Sequence, residues 1–154
     1  MPPYRHSQPG YLIIAVTALA AVILVVLVRP ADPPLLRWIP LGLLATAGAI
    51  FSRLIVDVTA GELRIQFAPG WPRWRWRLSE IASAHPVRNP WIAGWGIHWM
   101  PGYPGYWVIN VSGFDAVELR LRNGRRYRVG TDDLGGLLAA LRQAGVPDPA
   151  PARA

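Results

Sequence analysis

The residues able to do covalent or acid–base chemistry are few and scattered. The chain of 154 residues holds three histidines (His6, His85, His98), nine carboxylates and no cysteine. Without cysteine there is no thiol nucleophile, no thiolate metal ligand and no disulfide framework. No two histidines have the i, i+4 spacing of a helical zinc pair, and no third ligand accompanies any of them. Asp132-Asp133 is an adjacent carboxylate pair, but it precedes an apolar helical repeat and reads as a helix start. Ser52, Ser79, Ser83 and Ser112 lack the G-x-S-x-G setting of a nucleophile, and no glycine-rich phosphate loop is present. The chain is therefore expected not to be an enzyme and to use no cofactor and no metal.

Two residue types with recognition chemistry are abundant. All 16 cationic side chains are arginine, the net charge is +7, and seven of the eight tryptophans fall between Trp71 and Trp107. The charge divides into +3 up to Val56 and +4 beyond it, so neither part is strongly basic. Arginine without lysine, beside many Ala, Pro and Gly, reflects GC-rich codon usage more than selection for phosphate contacts. No RNA-recognition motif or zinc-finger spacing occurs, and nucleic acid is not an expected partner. Arg73, Arg75 and Arg77 alternate with Trp74 and Trp76 and are candidate contacts for an anionic lipid or a partner. The stretch Asn89–Trp107, NPWIAGWGIHWMPGYPGYW, alternates aromatic rings with Gly and Pro. Its rings are expected first as the filling of a small barrel with modest aliphatic content. The other reading makes some of them, Trp91 and Trp95 in particular, a contact surface.

The elements that must carry these residues begin with two apolar segments. Tyr11–Val28 is an uncharged run of 18 residues. It is longer than a signal-peptide core and lacks a small-x-small cleavage site, so it reads as an uncleaved membrane helix. Leu35–Ile55 forms the second segment, with Arg37 and Arg53 near its ends able to snorkel and Trp38 suited to the interface. The short connector Arg29–Pro34 forces the pair into an antiparallel hairpin, with Gly42, Ala45, Gly48 and Ala49 able to pack on Ala15, Ala18 and Ala21. Residues 1–10 are then a cytoplasmic tail, 11–56 a transmembrane hairpin and 57–145 a folded domain. Residues 146–154 form a Pro/Ala tail expected to be disordered. The arginine distribution places both termini in the cytoplasm of a bacterial plasma-membrane, multi-pass protein.

Beyond Leu54 the period becomes two. A turn at Ala60-Gly61 sets Val58 opposite Leu63 and Val56 opposite Ile65. Trp74, Trp76 and Leu78 share one face, and Arg73, Arg75 and Arg77 the other. Around Asn123-Gly124 a two-residue turn would send the two strands' apolar residues to opposite faces. A three-residue loop with left-handed Gly124 and a G1 bulge instead pairs Leu119 with Tyr127 and Val117 with Val129, and is predicted. Leu134, Leu137, Leu138 and Leu141 define one apolar face of a helix capped by Thr131 and ended by Gly145. Gly135-Gly136 within it implies a close packing contact.

The strand series from Leu54, Trp-Arg strand with Leu78-Ser-Glu-Ile81, Gly94-Trp-Gly-Ile97, Ala116–Arg126 and the Gly130-Thr-Asp-Asp133 helix start resemble bacterial pleckstrin-homology-like domains fused to membrane helices. The resemblance implies an α+β fold: a transmembrane hairpin, then a PH-like split β-barrel or sandwich of about seven antiparallel strands capped by a C-terminal helix. The expected function is an integral membrane protein presenting this binding or scaffolding domain. Its expected partners are proteins, itself or the membrane surface, with anionic lipid less favoured than protein. The alternative is a structural accessory subunit of a membrane complex, bound through the hairpin.

Overall fold

The computed structural model describes residues 3–29, 32–102 and 104–149. Two antiparallel-dominated sheets pack face to face. Strand β1 (Tyr4–Pro9) leads into helices α1 (Tyr11–Leu27) and α2 (Pro34–Ile50). Then come β2 (Arg53–Val58), β3 (Glu62–Phe67), β4 (Arg73–Arg77), β5 (Ile81–Arg88) and β6 (Gly96–Met100). The chain continues through β7 (Tyr106–Asn110), β8 (Asp115–Leu121), β9 (Arg126–Gly130) and helix α3 (Leu134–Gln143). The first sheet runs β1-β2-β3-β4 and the second β5-β8-β9-β7-β6.

The expected registers hold where the apolar face dictates them. Val56 lies opposite Ile65 and Val58 opposite Leu63. Leu119 lies opposite Tyr127 and Val117 opposite Val129. Gly124 has φ +84°, and Leu121 donates its N–H to Arg125 O at 2.9 Å, closing the three-residue loop. Any slip by one residue would turn these apolar sets to water, which is why pattern alone specifies them. The inner faces of both sheets form one core that includes Leu54, Ile65, Phe67, Trp76, Ile109, Leu119 and Val129, closed at one end by Leu137, Leu138 and Leu141 of α3.

Several expectations are corrected. No helix among the described residues is long and apolar enough to cross a membrane. Helices α1 and α2 have 17 residues each, and about 1.5 Å per residue makes them roughly 25 Å long against a hydrocarbon core of about 30 Å. The second apolar segment owed its length to Leu54 and Ile55, which belong to β2. The transmembrane hairpin and the multi-pass plasma-membrane location, with the C-terminal domain placed in the cytoplasm, lose their basis. The barrel also fails: the described residues form two sheets that do not close, nine strands stand where about seven were expected, and β7 pairs with β9 in parallel.

Residues 4–9 are not a tail, because β1 pairs along its whole length with β2. The helical hairpin is thus an insertion between two paired strands, and Gly10 donates its N–H to Ser52 O at 2.7 Å at its root. Within the hairpin, Ala18, Ala21, Ala45 and Gly48 line the inter-helix groove as their spacing implied. Arg37 Nη2 donates to Val28 O at 2.6 Å, covering a carbonyl that the end of α1 leaves without a helical partner. At α3 the cap is Asp133 rather than Thr131: Asp133 Oδ1 accepts from Gly136 N at 2.9 Å. A Cβ on Gly136 would come within 2.1 Å of that carboxylate, whereas Gly135 faces open space. Val146 is buried, and Pro147 O accepts from Ala84 N at 3.1 Å, so the segment after α3 is held on β5. The disorder expected further on, at 150–154, lies outside the described residues.

Candidate binding surface

The tryptophans divide between core and surface by which sheet covers them. Trp76 is buried on the inner face of β4, its ring 4.7 Å from that of Tyr127, and Trp74 meets Phe67 edge-on at 6.1 Å. Strand β4 therefore lies over β9. In the second sheet β7 and β6 continue past β9, and among the described residues the first sheet ends at β4, with no strand to place over them. Alternation puts Ile97 and Trp99 of β6, and Trp107 and Ile109 of β7, on the same inner face. Ile109 is fully covered, but Trp99 and Trp107 remain 52% and 41% exposed. Trp99 and Trp107 thus occupy core-facing positions that no strand among the described residues covers.

The resulting mouth is two adjoining hollows that share Arg125 and Tyr127. One, of about 430 Å³, is lined by Trp74, Ile97, Trp107, Arg125 and Tyr127. The other, of about 420 Å³, adds Arg75, Trp76, Arg122 and the short helical turn Leu78–Glu80. Arg122 is fixed there, donating its Nε to Ser79 O at 2.7 Å and its backbone N–H to Glu80 O at 2.8 Å. Arg125 makes no side-chain hydrogen bond among the described residues. Aromatic walls beside the Arg125 guanidinium offer stacking, apolar burial and charge-assisted hydrogen bonding.

The five residues singled out from sequence fall into two places. Arg73, Arg75 and Arg77 project together from the outer face of β4 and are exposed. Arg75 Nη2 donates to Glu62 Oε2 at 2.9 Å, and Arg64 also donates to Glu62. These two hydrogen bonds hold the Glu62 carboxyl below its usual pKa. Trp91 and Trp95 lie elsewhere, on the connection from β5 to β6. Trp91 is 79% exposed at the start of a single helical turn, followed by Ile92. Trp95 packs 6.2 Å from Phe114, over which Arg88 also stacks. The expectation that the aromatic run fills a barrel is thus corrected for Trp91, Trp95, Trp99 and Trp107. Among the residues that line the mouth, Arg122, Arg125 and Tyr127 were not singled out. Their role depends on which strand lies opposite them, and no periodicity within one strand carries that.

A second uncovered surface lies at the root of the hairpin. Ser112 Oγ donates to Pro9 O at 3.4 Å, Gln8 Nε2 donates to Ser112 O at 3.0 Å, and a Cβ on Gly10 would stand 3.3 Å from Val111. The loop Val111–Phe114 therefore joins the root of α1 to the Trp95 ring. Neither α1 nor α2 has a buried residue, and Val16, Leu19, Val22, Val26 and Leu43 are all exposed. Among the described residues, Ile13 of α1 and Ile50 of α2 pack partly buried against the core while the other large apolar side chains of the pair stay open, and the Trp91-Ile92 turn adds a further exposed apolar group.

Among the described residues no cluster of His, Asp and Glu could hold a metal ion. Glu118 is the buried carboxylate, and its partners are structural: Arg128 Nε at 2.7 Å and Arg126 Nη1 at 3.4 Å. No protein family, no curated protein and no solved structure matches this chain. The resemblance to PH-like domains with an N-terminal two-helix anchor is corrected accordingly: no family match supports it, and no helix fits the anchor.

Proposed function

We propose that this protein is a non-catalytic binding module that engages protein partners through its uncovered apolar end. One observation carries the reading: Trp91 and Ile92 are 79% and 68% exposed, and the helix pair has no fully buried residue, meeting the core through the partly buried Ile13 and Ile50 while most of its large apolar side chains stay exposed. Large aromatic and aliphatic groups concentrated at one end are costly to leave in water and are characteristic of contact surfaces. Protein is favoured over lipid headgroups because the turn carries rings and aliphatics rather than a cluster of free cations.

Replacing Trp91 and Ile92 with serine tests this. The double variant keeps the wild-type circular dichroism spectrum and loses the partner that co-purifies with the wild-type chain from its native source. Retention of the same partner at the same yield contradicts the reading. A second reading, a structural accessory subunit held through its hairpin, is favoured by the absence of any buried residue in α1 and α2. It predicts that serine at Leu19 and Val22, and not at Trp91 and Ile92, releases the partner.

A further inference from the structure

We infer that the free edge of β4 takes up an extended segment of a partner protein, alternating acidic and apolar residues, as a fifth strand of the first sheet. The inference deepens the binding-module reading by naming a partner chemistry and a second place of contact.

Four features converge on this edge. Among the described residues β4 pairs with β3 alone, so its other side has no strand partner there. Phe67 N donates to Pro72 O and Leu78 N to Gly61 O, each at 3.0 Å, and these bonds fix the phase of the antiparallel ladder. Bonded pairs alternate every second residue, so Trp74 and Trp76 spend their backbone groups on β3. Arg73 and Arg75 present their N–H and C=O to the open side. The N–H of Arg77 on that side is already taken by Glu80 Oε2 at 2.9 Å, which marks the end of the usable edge.

The outer face supplies the charge preference. Directly opposed residues form a row across the four strands: Arg5, Asp57, Arg64 and Arg75. The row runs plus, minus, plus, plus, and Glu62 bridges the last two. A carboxylate on an added strand opposite Arg75 would balance the two adjacent arginines that end the row, and its neighbours two residues away would meet Arg73 and Arg77. The inner face supplies the apolar preference. A strand beside β4 would lie over β7 and β6, covering Trp107 and Trp99 and filling the hollow bounded by Trp74, Ile97 and Tyr127. Successive residues of one extended segment point to these two faces in turn, so its period must be acidic then apolar. A second copy of β4 does not fit this edge, because antiparallel self-pairing would set arginine against arginine.

The probe is a fluorescein-labelled ten-residue peptide alternating Glu and Val, titrated into the full-length protein and read by anisotropy at low salt. Saturable binding is expected, weakened at least tenfold when the Glu residues are replaced by Lys. N-methylation of alternate peptide bonds should weaken it to the same degree, because it removes ladder donors without changing side chains. Arg73→Glu with Arg125→Glu, both exposed positions, should reduce affinity at least tenfold with the fold intact by circular dichroism. Equal binding of the Glu and Lys peptides, or indifference to N-methylation, overturns the inference. So does binding of phosphatidylglycerol vesicles or inorganic phosphate without binding of the peptide, which would assign the arginines to anions rather than a strand. Loss of the partner by the Trp91 and Ile92 variant alongside a failed peptide titration would leave the module reading standing and remove this one.

Discussion

At Glu118 one carboxylate, 3% exposed, is ion-paired with the guanidiniums of both Arg126 and Arg128 on the outer side of the second sheet. Arg128 also lies 3.8 Å over the ring of Tyr106, so its position is fixed from two sides. Removing the carboxylate leaves two cations in a place of low solvation, where breaking a buried pair costs about 3–5 kcal/mol. Glu118→Ala is expected to lower the unfolding free energy by an amount near the bottom of that range, measured by urea denaturation, with Glu118→Gln losing less. Tyr4 gives a pH-dependent counterpart. Its burial, and then the hydrogen bond its hydroxyl donates to Asp133 Oδ2 at 3.0 Å, push its pKa far above that of a free phenol. A folded-state pKa raised above the unfolded one adds stability that is complete below the unfolded value and is lost as pH rises. The wild-type protein should therefore lose stability above about pH 10, the ordinary tyrosine range. Tyr4→Phe should lack that component of the alkaline slope. Equal slopes in thermal melts across that range would remove this account of Tyr4.

Among the elements, the β8–β9 hairpin shows how pattern and turn chemistry act together. Its register depends on Gly124 at φ +84°, and a side chain there must adopt a left-handed conformation that costs about 1–2 kcal/mol. Gly124→Ala should show that loss in denaturation midpoint with no change in the far-ultraviolet spectrum. At β9 the close approach is different: a Cβ on Gly130 would fall 2.0 Å from Oδ1 of the buried Asn110. Gly130→Ala should cost about 1–3 kcal/mol, as overpacking does, with disturbance centred on the β7–β9 pairing. The registers of β2–β3 and β8–β9 were legible because a slip would expose an entire apolar face. Strand β1 was not, since Arg5, His6, Ser7 and Gln8 carry no apolar alternation. Its pairing comes from β2 beside it and from contacts 104 residues away, where buried Gln8 reaches Ser112. The cap of α3 was placed two residues early because Thr131, Asp132 and Asp133 are all able to cap, and only the chain direction selects Asp133.

Over the whole molecule, four strands facing five leave one flank of the core unroofed, and an inserted helix pair leaves one end apolar. Sequence alone shows the clustering of tryptophan but not its exposure, because exposure is decided by how many strands the opposing sheet supplies. The hairpin was legible as two antiparallel helices. Its length was overread because Leu54 and Ile55 of β2 follow α2 and its cap Phe51 after only Ser52 and Arg53, and the arginine reads as a snorkelling end of the helix. The proposed function turns on these surfaces, of which sequence alone named Trp91 and Trp95 as candidates without their exposure. The most direct test of that claim places a photo-crosslinking amino acid at Trp91, and in a separate variant at Arg142 on α3, in the full-length protein in its native cells. Irradiation should give one discrete protein adduct from position 91 and none from position 142. No adduct at 91, or the same adducts from both positions, would contradict the proposal that the apolar end is the contact surface.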